Sequence, residues 1–245
     1  MPGSKWNLKD TVALQQMKDQ LQPILSTYPP YPEVTGDRRL LRFLKGYNLN
    51  VEKAVKAYQE FIKWRKDNDV DAIRNDILYG GKNHPITFPH AETILRILPQ
   101  IVLAHHTTDY AGQPITLETF DFDPNHVLEE MSVEQYLVFL IYSLEFRTLI
   151  LEQMAEARDA AYLASHPNIE DREDGYGCIL KLCCLRDLNG VGFKHVGRKT
   201  QAIVKTVLDI AVPNYQEYLG KSYMVNVPWV FETVWVFVKK ILDES

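Results

Sequence analysis

The sequence predicts an α/β protein, in which a small N-terminal helical module precedes a mainly parallel sheet flanked by helices. Two observations support this prediction. The chain shows only helical periodicity as far as about Arg74. From Leu98 onward, β-prone runs alternate with helical runs, as they do in layered α/β domains. We therefore assign residues 1–75 to a helical module and residues 76–245 to a sheet-containing domain.

The N-terminal helices are predicted from apolar spacing and capping residues. Apolar residues recur at intervals of three and four within Leu14–Leu21, which indicates an amphipathic helix. The proline-rich turn Pro29–Pro32 ends this helix, because proline lacks an N–H group and clashes with the preceding turn. Asp37 is expected to cap the next helix and Asn50 the one after it. Together these segments predict a small helical bundle.

The sheet is predicted from β-prone runs separated by turns and helices. Leu98–Thr107 and Pro114–Phe120 predict a hairpin. Ser132 is placed to cap a long helix that follows the hairpin. Tyr176–Leu185 is typical of a buried strand, and Tyr223–Val227 predicts another strand after a further helix. Strands separated by helices in this way favour parallel pairing.

The C-terminal segment that follows Pro228 predicts a helix over 228–242 that is apolar on nearly all faces. Such a helix must be covered by a core, a membrane surface or a greasy ligand. No uninterrupted apolar run in the chain reaches the ~20 residues that span a bilayer. Any membrane contact is therefore expected to be peripheral.

Composition narrows the class of protein further. The net charge of −5 argues against non-specific nucleic-acid binding. Three cysteines cannot form a secreted disulfide framework, so they favour a reducing compartment. The N-terminus lacks the apolar core of a signal peptide. We expect a cytoplasmic protein with peripheral membrane association.

The sequence does not predict an enzyme, a metal site or a cofactor. Gly190-Val191-Gly192 lacks the third glycine of a dinucleotide-binding motif, so it indicates a turn. His105-His106 and Cys183-Cys184 lie on predicted strands, where neighbouring side chains point to opposite faces. Neither pair can therefore converge on a metal ion. They are better interpreted as a core polar residue and as small apolar residues.

Two acidic residues need an explanation. Glu217 and Lys221 are four residues apart, which on a helix predicts a surface ion pair. Glu145 lies on or near the apolar stripe of the long helix. If it is buried it needs a partner, because an unpaired buried carboxylate is costly.

Two groups of motifs follow one another along the chain. The first group, in the helical segment, is Leu40–Leu44, Val51–Ala54 and Trp64–Lys66. The second group, in the sheet-containing segment, is Asp109–Pro114, Asp187–Gly190, Asn214–Lys221 and Val225–Phe231. In this order they resemble the helical module and the lipid-binding module of the Sec14-like (CRAL-TRIO) family of lipid-binding and lipid-transfer proteins. The resemblance runs from about residue 10 to the end of the chain.

This resemblance implies an intracellular protein that binds a phospholipid or another hydrophobic ligand and transfers it between membranes. The ligand would lie on a sheet floor beneath the 228–242 helix, which would act as a gate. Its partners would be the lipid and, transiently, a membrane surface. The implied lipid-binding residues are Glu217, His105, Thr116, Leu182, Cys184, Val225, Val230, Val234 and Phe237.

The chain also departs from the family pattern. Tyr47 and Asn48 stand where inositol-lipid-binding members have a basic pair, although Glu217 resembles the glutamate that those members use near the inositol headgroup. Leu182 and Cys184 replace small hydroxyl residues that face phosphatidylcholine, and Thr116 replaces a tyrosine. The last strand and the C-terminal helix of the family are expected to be missing. The alternative is a non-transferring regulatory protein, with a degenerate pocket and an apolar C-terminus that docks on a partner protein.

Overall fold

The computed structural model describes residues 5–97, 105–166, 175–195, 197–232, 235–236 and 239. The described residues form two compact units. The first unit draws on residues 1–68, 147–181 and 216–218, and the second on residues 69–146, 182–215 and 219–245. The predicted division of the chain at residues 75 and 76 stays a prediction.

The first unit begins with four helices: α1 (Leu8–Leu25), α2 (Pro32–Thr35), α3 (Asp37–Gly46) and α4 (Val51–Asp67). The side chain of Asn50 accepts a hydrogen bond from the N–H of Lys53 at 3.0 Å, which confirms Asn50 as a cap. The prediction for Asp37 is wrong. Gly36 occupies the cap position with extended backbone, so Asp37 is already the first helical residue.

Apolar side chains of α1, α3 and α4 form the core of the first unit. The predicted stripe Leu14–Leu21 is buried, which confirms the amphipathic character of α1. Phe43 and Tyr58 meet edge to face with their ring centroids 5.3 Å apart. The Tyr58 hydroxyl donates to the carbonyl of Val34 at 3.0 Å. The core therefore also satisfies its most deeply buried phenol.

Arg38 joins α3 to two later stretches of the first unit. Its Nε donates to the carbonyl oxygen of Cys178 at 3.1 Å. Its two Nη atoms form ion pairs with Glu152 and Asp159 on α8 (Val133–Ser165), a helix that enters the first unit at residue 147. All three charged side chains are largely buried. Their hydrogen bonds compensate for the lost hydration.

Arg42, one helical turn further along α3, makes a second set of such contacts. It donates to the carbonyl oxygens of Leu180 at 2.6 Å and Glu217 at 2.7 Å. Its guanidinium lies 3.9 Å from the ring centroid of Tyr218, and that of Arg39 lies 5.2 Å from the same ring. Residues 216–218 are therefore held in the first unit by charge and by cation–π contact.

The second unit contains helices and a four-stranded sheet. In chain order its elements are α5 (Val70–Tyr79), α6 (Ala91–Ile97), β1 (His105–Thr108), β2 (Pro114–Thr119), α7 (Pro124–Glu130), the first part of α8, β3 (Leu182–Asp187), α9 (Arg198–Asn214) and β4 (Leu219–Val225). The strand order in the sheet is β1-β2-β3-β4. β1 and β2 pair antiparallel, whereas the pairs β2–β3 and β3–β4 are parallel. This arrangement confirms the prediction of a mainly parallel sheet flanked by helices.

The predicted hairpin is confirmed over the part that the structure describes, where His105 pairs with Thr116. Residues 98–104 of the predicted first strand lie outside the described residues. The last strand begins at Leu219, earlier than predicted, and ends at Val225.

The predicted strand Tyr176–Leu185 is corrected to Leu182–Asp187. Its first part is not β-structure, because its backbone groups bond elsewhere in the first unit. The N–H of Gly177 donates to the carbonyl of Lys5 at 2.6 Å, and Leu180 accepts from Arg42.

Both predictions for α8 are confirmed. The N–H of Gln135 donates to Ser132 Oγ at 3.3 Å, while Gln135 Oε1 accepts from the N–H of Ser132 at 2.9 Å. This reciprocal pair is a capping box. Glu145 is fully buried, and its carboxylate accepts from the Tyr215 hydroxyl at 2.9 Å.

Among the described residues, none of the helices combines the length and the apolar character that a bilayer-spanning segment needs. In that part of the chain, β4 borders the sheet and is exposed along most of its length. The expectation that a further strand and helix are missing stays a prediction.

Replacing Arg38 with methionine should destabilise the protein by ~3–5 kcal/mol at neutral pH, because it leaves the buried carboxylates of Glu152 and Asp159 without their cation. Urea unfolding followed by circular dichroism measures the change. The matched control is Lys63→Met, since the ion pair of Lys63 with Asp67 is exposed and should contribute far less to stability. Equal losses in the two variants would contradict a special role for Arg38.

Candidate functional site

The strand register of the second unit sorts the predicted sheet residues onto two faces. Thr116 lies beside Cys184, and Ile115 lies beside Cys183. Because side chains alternate along a strand, these two pairs occupy opposite faces. We call them the Thr116 face (Thr116, Glu118, Leu182, Cys184, Arg186 and Ser222) and the Ile115 face (Ile115, Leu117, Cys183, Leu185, Tyr223 and Val225).

The Thr116 face brings three of the predicted lipid-binding residues together. Thr116 Oγ1 donates to Cys184 Sγ at 3.1 Å. Leu182 shares this face, and all three side chains are buried. Next to them, Arg186 Nε donates to Glu118 Oε2 at 2.8 Å. A small apolar and thiol surface therefore borders a charged pair on this face.

The Ile115 face carries an open cavity of about 420 Å³. This volume lies within the ~300–1,000 Å³ range of small-molecule sites. The cavity is lined by Thr108, Asp109, Tyr110, Ile115, Cys183, Leu185 and Tyr223. Val225 lies on this face, so the structure does not bring it together with Thr116 and Cys184.

The polar motifs at the ends of the strands form tight turns. The carboxylate of Asp109 accepts from the N–H groups of Ala111 and Gln113 at 2.8 and 2.9 Å. The carboxylate of Asp187 accepts at 2.9 Å from the Asn226 side-chain amide and from the N–H of Asn189. These hydrogen bonds, the one from Asn226 foremost, lower the pKa of Asp187. Both aspartates therefore fix the loops that leave the sheet.

Glu217 belongs to the first unit, and its predicted helical pairing with Lys221 is wrong. α9 has already ended at Asn214, Glu217 adopts left-handed backbone with φ of 61°, and Lys221 lies on strand β4. Helical spacing therefore does not apply. The Glu217 carboxylate pairs instead with Lys181, and both side chains are partly exposed.

The predicted gate segment is described only in part. Its described residues 231–232, 235–236 and 239 are helical and follow a turn in which the N–H of Phe231 donates to the carbonyl of Pro228. Val230 is buried, whereas Trp229 is exposed. Val234 and Phe237 lie outside the described residues, as does the side chain of His105.

Two groupings were not predicted from the sequence. Lys181 is the partner of Glu217, and Arg186 is the partner of Glu118. The second could have been anticipated, because parallel pairing of the two strands places these opposite charges side by side. The first has no local signal, since its members are 36 residues apart and lie outside regular elements.

The described residues show no group of three or more His, Cys, Asp or Glu side chains that could hold a metal ion. Cys183 and Cys184 are buried. Burial, aided by the hydrogen bond with Asp159, raises the pKa of the Cys178 thiol to about 11. This thiol is therefore protonated at neutral pH and is a poor nucleophile.

His195 lies in the turn between β3 and α9. Its Nδ1 accepts from the N–H of Gly192 at 3.1 Å, and its ring packs against Phe122 with centroids 5.4 Å apart. Burial lowers the pKa of His195, and the charge of Lys194 acts in the same direction. The neutral form of the His195 imidazole is therefore the one that is stabilised in this turn.

A parallel sheet joined by long helical crossovers defines the protein as one of the layered α/β class. The family profile of the CRAL/TRIO domain matches residues 99–245, more than half of the chain. The chain therefore belongs to the CRAL/TRIO family.

Its relatives include the Sec14 cytosolic factor of Schizosaccharomyces pombe, which is 26% identical over 98% of this chain and 72% of its own length. The phosphatidylinositol/phosphatidylcholine transfer protein SFH9 of Arabidopsis thaliana is 26% identical over 83% of this chain, but only 31% of its own length is covered. The crystal structure of Sfh5 matches with a TM-score of 0.59 and 16% identity, covering 96% of this chain and 76% of that one.

The stability of the wild type should fall, relative to a His195→Asn variant, as the pH drops below about 6.5. The folded-state pKa of His195 is lowered from 6.5, so the unfolded state binds the proton more readily and gains population on acidification. Asparagine keeps an acceptor for Gly192 but does not titrate. Urea unfolding of both proteins between pH 7.5 and 5.5 measures the difference, and parallel stability curves would contradict it.

Proposed function

We propose that the chain binds a phospholipid or another hydrophobic ligand in the cytoplasm and transfers it between membranes. The observation that carries the proposal is the CRAL/TRIO match over residues 99–245, which spans the whole sheet of the second unit. Relatives named as phosphatidylinositol/phosphatidylcholine transfer proteins support lipid as the ligand class. In this proposal the protein is a carrier and not an enzyme.

The ligand site of the proposal lies on the Thr116 face. Thr116, Leu182 and Cys184 sit on adjacent strands of this face, and Arg186 supplies a charge for a polar headgroup. The 228–242 segment is proposed as the gate, with Val234 and Phe237 as further inward residues. The burial of Val230 beside an exposed Trp229 supports a segment with distinct inner and outer sides.

The proposal also assigns a role to each of two chain segments. Residues 1–75 would be the helical module, and residues 76–245 the lipid-binding domain. Of the remaining assigned residues, His105 is proposed to contact the ligand from β1, and Glu217 is proposed as a lipid-binding residue of the first unit. Val225 lies on the Ile115 face and is therefore not part of the site on the Thr116 face.

The second candidate is a regulatory protein that holds no exchangeable lipid and docks on a partner protein through its apolar C-terminus. It is favoured by the exposure of β4, because strands of parallel sheets are usually buried on both faces. An exposed sheet border is also a surface on which another chain can pair.

The purified chain should carry an extractable lipid and should move that lipid between vesicles. Mass spectrometry of the organic extract identifies the ligand, and a fluorescence assay between donor and acceptor vesicles measures transfer. A folded protein with no bound lipid and no transfer would favour the regulatory candidate.

Cys184→Ser and Cys183→Ser sharpen this test, because the two neighbouring buried residues differ mainly in the face that they occupy. If the headgroup lies on the Thr116 face, the serine at position 184 should alter the headgroup composition of the extract while the serine at 183 should not. An equal effect of both changes would count against that face.

Glu217→Ala should abolish binding of an inositol lipid, if that is the ligand, while the fold is retained. The fold should survive because the lost ion-pair partner, Lys181, is partly solvated. Lys181→Ala is the matched control, since it breaks the same ion pair but keeps the carboxylate. Lipid binding by extraction and unfolding by urea are compared for both variants. If both variants lose the inositol lipid, the effect is due to the ion pair. If neither variant loses it, Glu217 is a surface residue that does not bind the lipid.

A further inference from the structure

The turn that follows β3 is held closed by the imidazole of His195. Phe193–His195 form a 3-10 turn, and His195 Nδ1 accepts a hydrogen bond from the N–H of Gly192 at 3.1 Å. The His195 side chain is buried, and its ring packs against Phe122. The hydrogen bond therefore joins the two ends of the turn at a buried position of the second unit.

This hydrogen bond exists in only one charge state of His195. A backbone N–H group can only donate, so Nδ1 must present its lone pair to Gly192 and cannot carry a proton. Protonation of the imidazole makes Nδ1 a second donor, which then faces the N–H of Gly192. The charged imidazole is therefore incompatible with the closed turn.

The same turn carries one half of an aromatic contact. The rings of Phe193 and Trp229 meet edge to face, with their centroids 5.4 Å apart. Phe193 is 70% exposed and Trp229 is 75% exposed, so neither ring is fixed by deep burial. A change of backbone between Gly192 and His195 must move Phe193, because that residue lies between them. The contact with Trp229 therefore depends on the closed turn.

We propose that His195 is a pH-sensitive switch, whose protonation opens the turn from Gly192 to His195 and separates Phe193 from Trp229. Opening brings the charged imidazole into water, where it is hydrated. The start of the 228–242 segment then loses its contact with the loop after β3. The switch does not depend on which ligand the protein carries, or on whether it carries one.

The groups around His195 set the direction of the switch. Burial, the largest effect, and the charge of Lys194 lower the pKa of His195 from 6.5, against the opposing effects of the Phe122 backbone and the Asp123 charge. Asp123 stays ionised in this range, since the hydrogen bond from the N–H of Asn125 lowers its pKa. The open turn therefore binds the proton more readily. Below pH 6.5, each pH unit should shift the closed-to-open ratio by up to about tenfold, until the pKa of the closed form is passed.

The indole N–H signal of Trp229 in NMR spectra reports the aromatic contact, and the signal that disappears in Trp229→Phe identifies it. Between pH 7.5 and 5.5, this signal should shift in the wild type, and the shift should begin below about pH 6.5. His195→Asn should abolish the shift, because asparagine keeps an acceptor for Gly192 but does not titrate. Phe193→Ala should also abolish it, since the contact is already absent at pH 7.5.

The matched control is His84→Asn. His84 Nδ1 also accepts from a backbone N–H, that of Ile86 at 3.3 Å, but it does so in an exposed turn of the second unit. This variant should keep the wild-type shift of the Trp229 signal. A wild-type signal that ignores pH, a shift that survives in His195→Asn, or one that is lost in His84→Asn would overturn the switch.

Circular dichroism over the same pH range separates a local opening from unfolding. Its signal should stay constant while the Trp229 signal shifts, because the opened turn is short and lies at the surface. A loss of helical signal that coincides with the Trp229 shift would refute a local switch.

Extraction of bound lipid at both pH values keeps the switch separate from the proposed function. A Trp229 shift in a protein that contains no lipid would support the switch and refute the carrier. A protein that contains lipid but whose Trp229 signal does not respond to pH would support the carrier and refute the switch.

Discussion

The first unit depends on the arginine side chains of α3, which are buried in the interior of that unit. Arg38 bonds to a backbone carbonyl and to two carboxylates of α8, and Arg42 bonds to the backbone of residues 180 and 217. Every one of these partners is more than 100 residues away in the sequence. Removing a buried charge from such a network leaves its partners uncompensated, so the arginines specify which distant stretches belong together.

The second unit depends on register. Parallel pairing of β2, β3 and β4 places Thr116 beside Cys184 and Arg186 beside Glu118 on one face, and it leaves Ile115 and Cys183 on the other. A shift of one residue would exchange the two faces. The turns made by Asp109 and Asp187 fix the ends of the strands, so these two aspartates help to hold the sheet in place.

Local signals in the sequence were enough for most of the fold. Apolar spacing found α1, capping residues found α4 and α8, and the alternation of strands and helices found the mainly parallel sheet. Local spacing failed for Glu217, whose partner is Lys181, because the chain leaves the helix before that residue. The start of β3 was also missed, since its preceding residues bond to the first unit through tertiary contacts that leave no periodic trace.

The first unit is assembled from three separated stretches of chain, and this has a consequence for the order of synthesis. A ribosome makes its N-terminal helices first, but residues 216–218 emerge only after most of the second unit has been made. Until then the arginines of α3 lack the carbonyl of Glu217 and the ring of Tyr218. The guanidinium groups of Arg39 and Arg42 therefore reach their final contacts only after nearly the whole chain has been made.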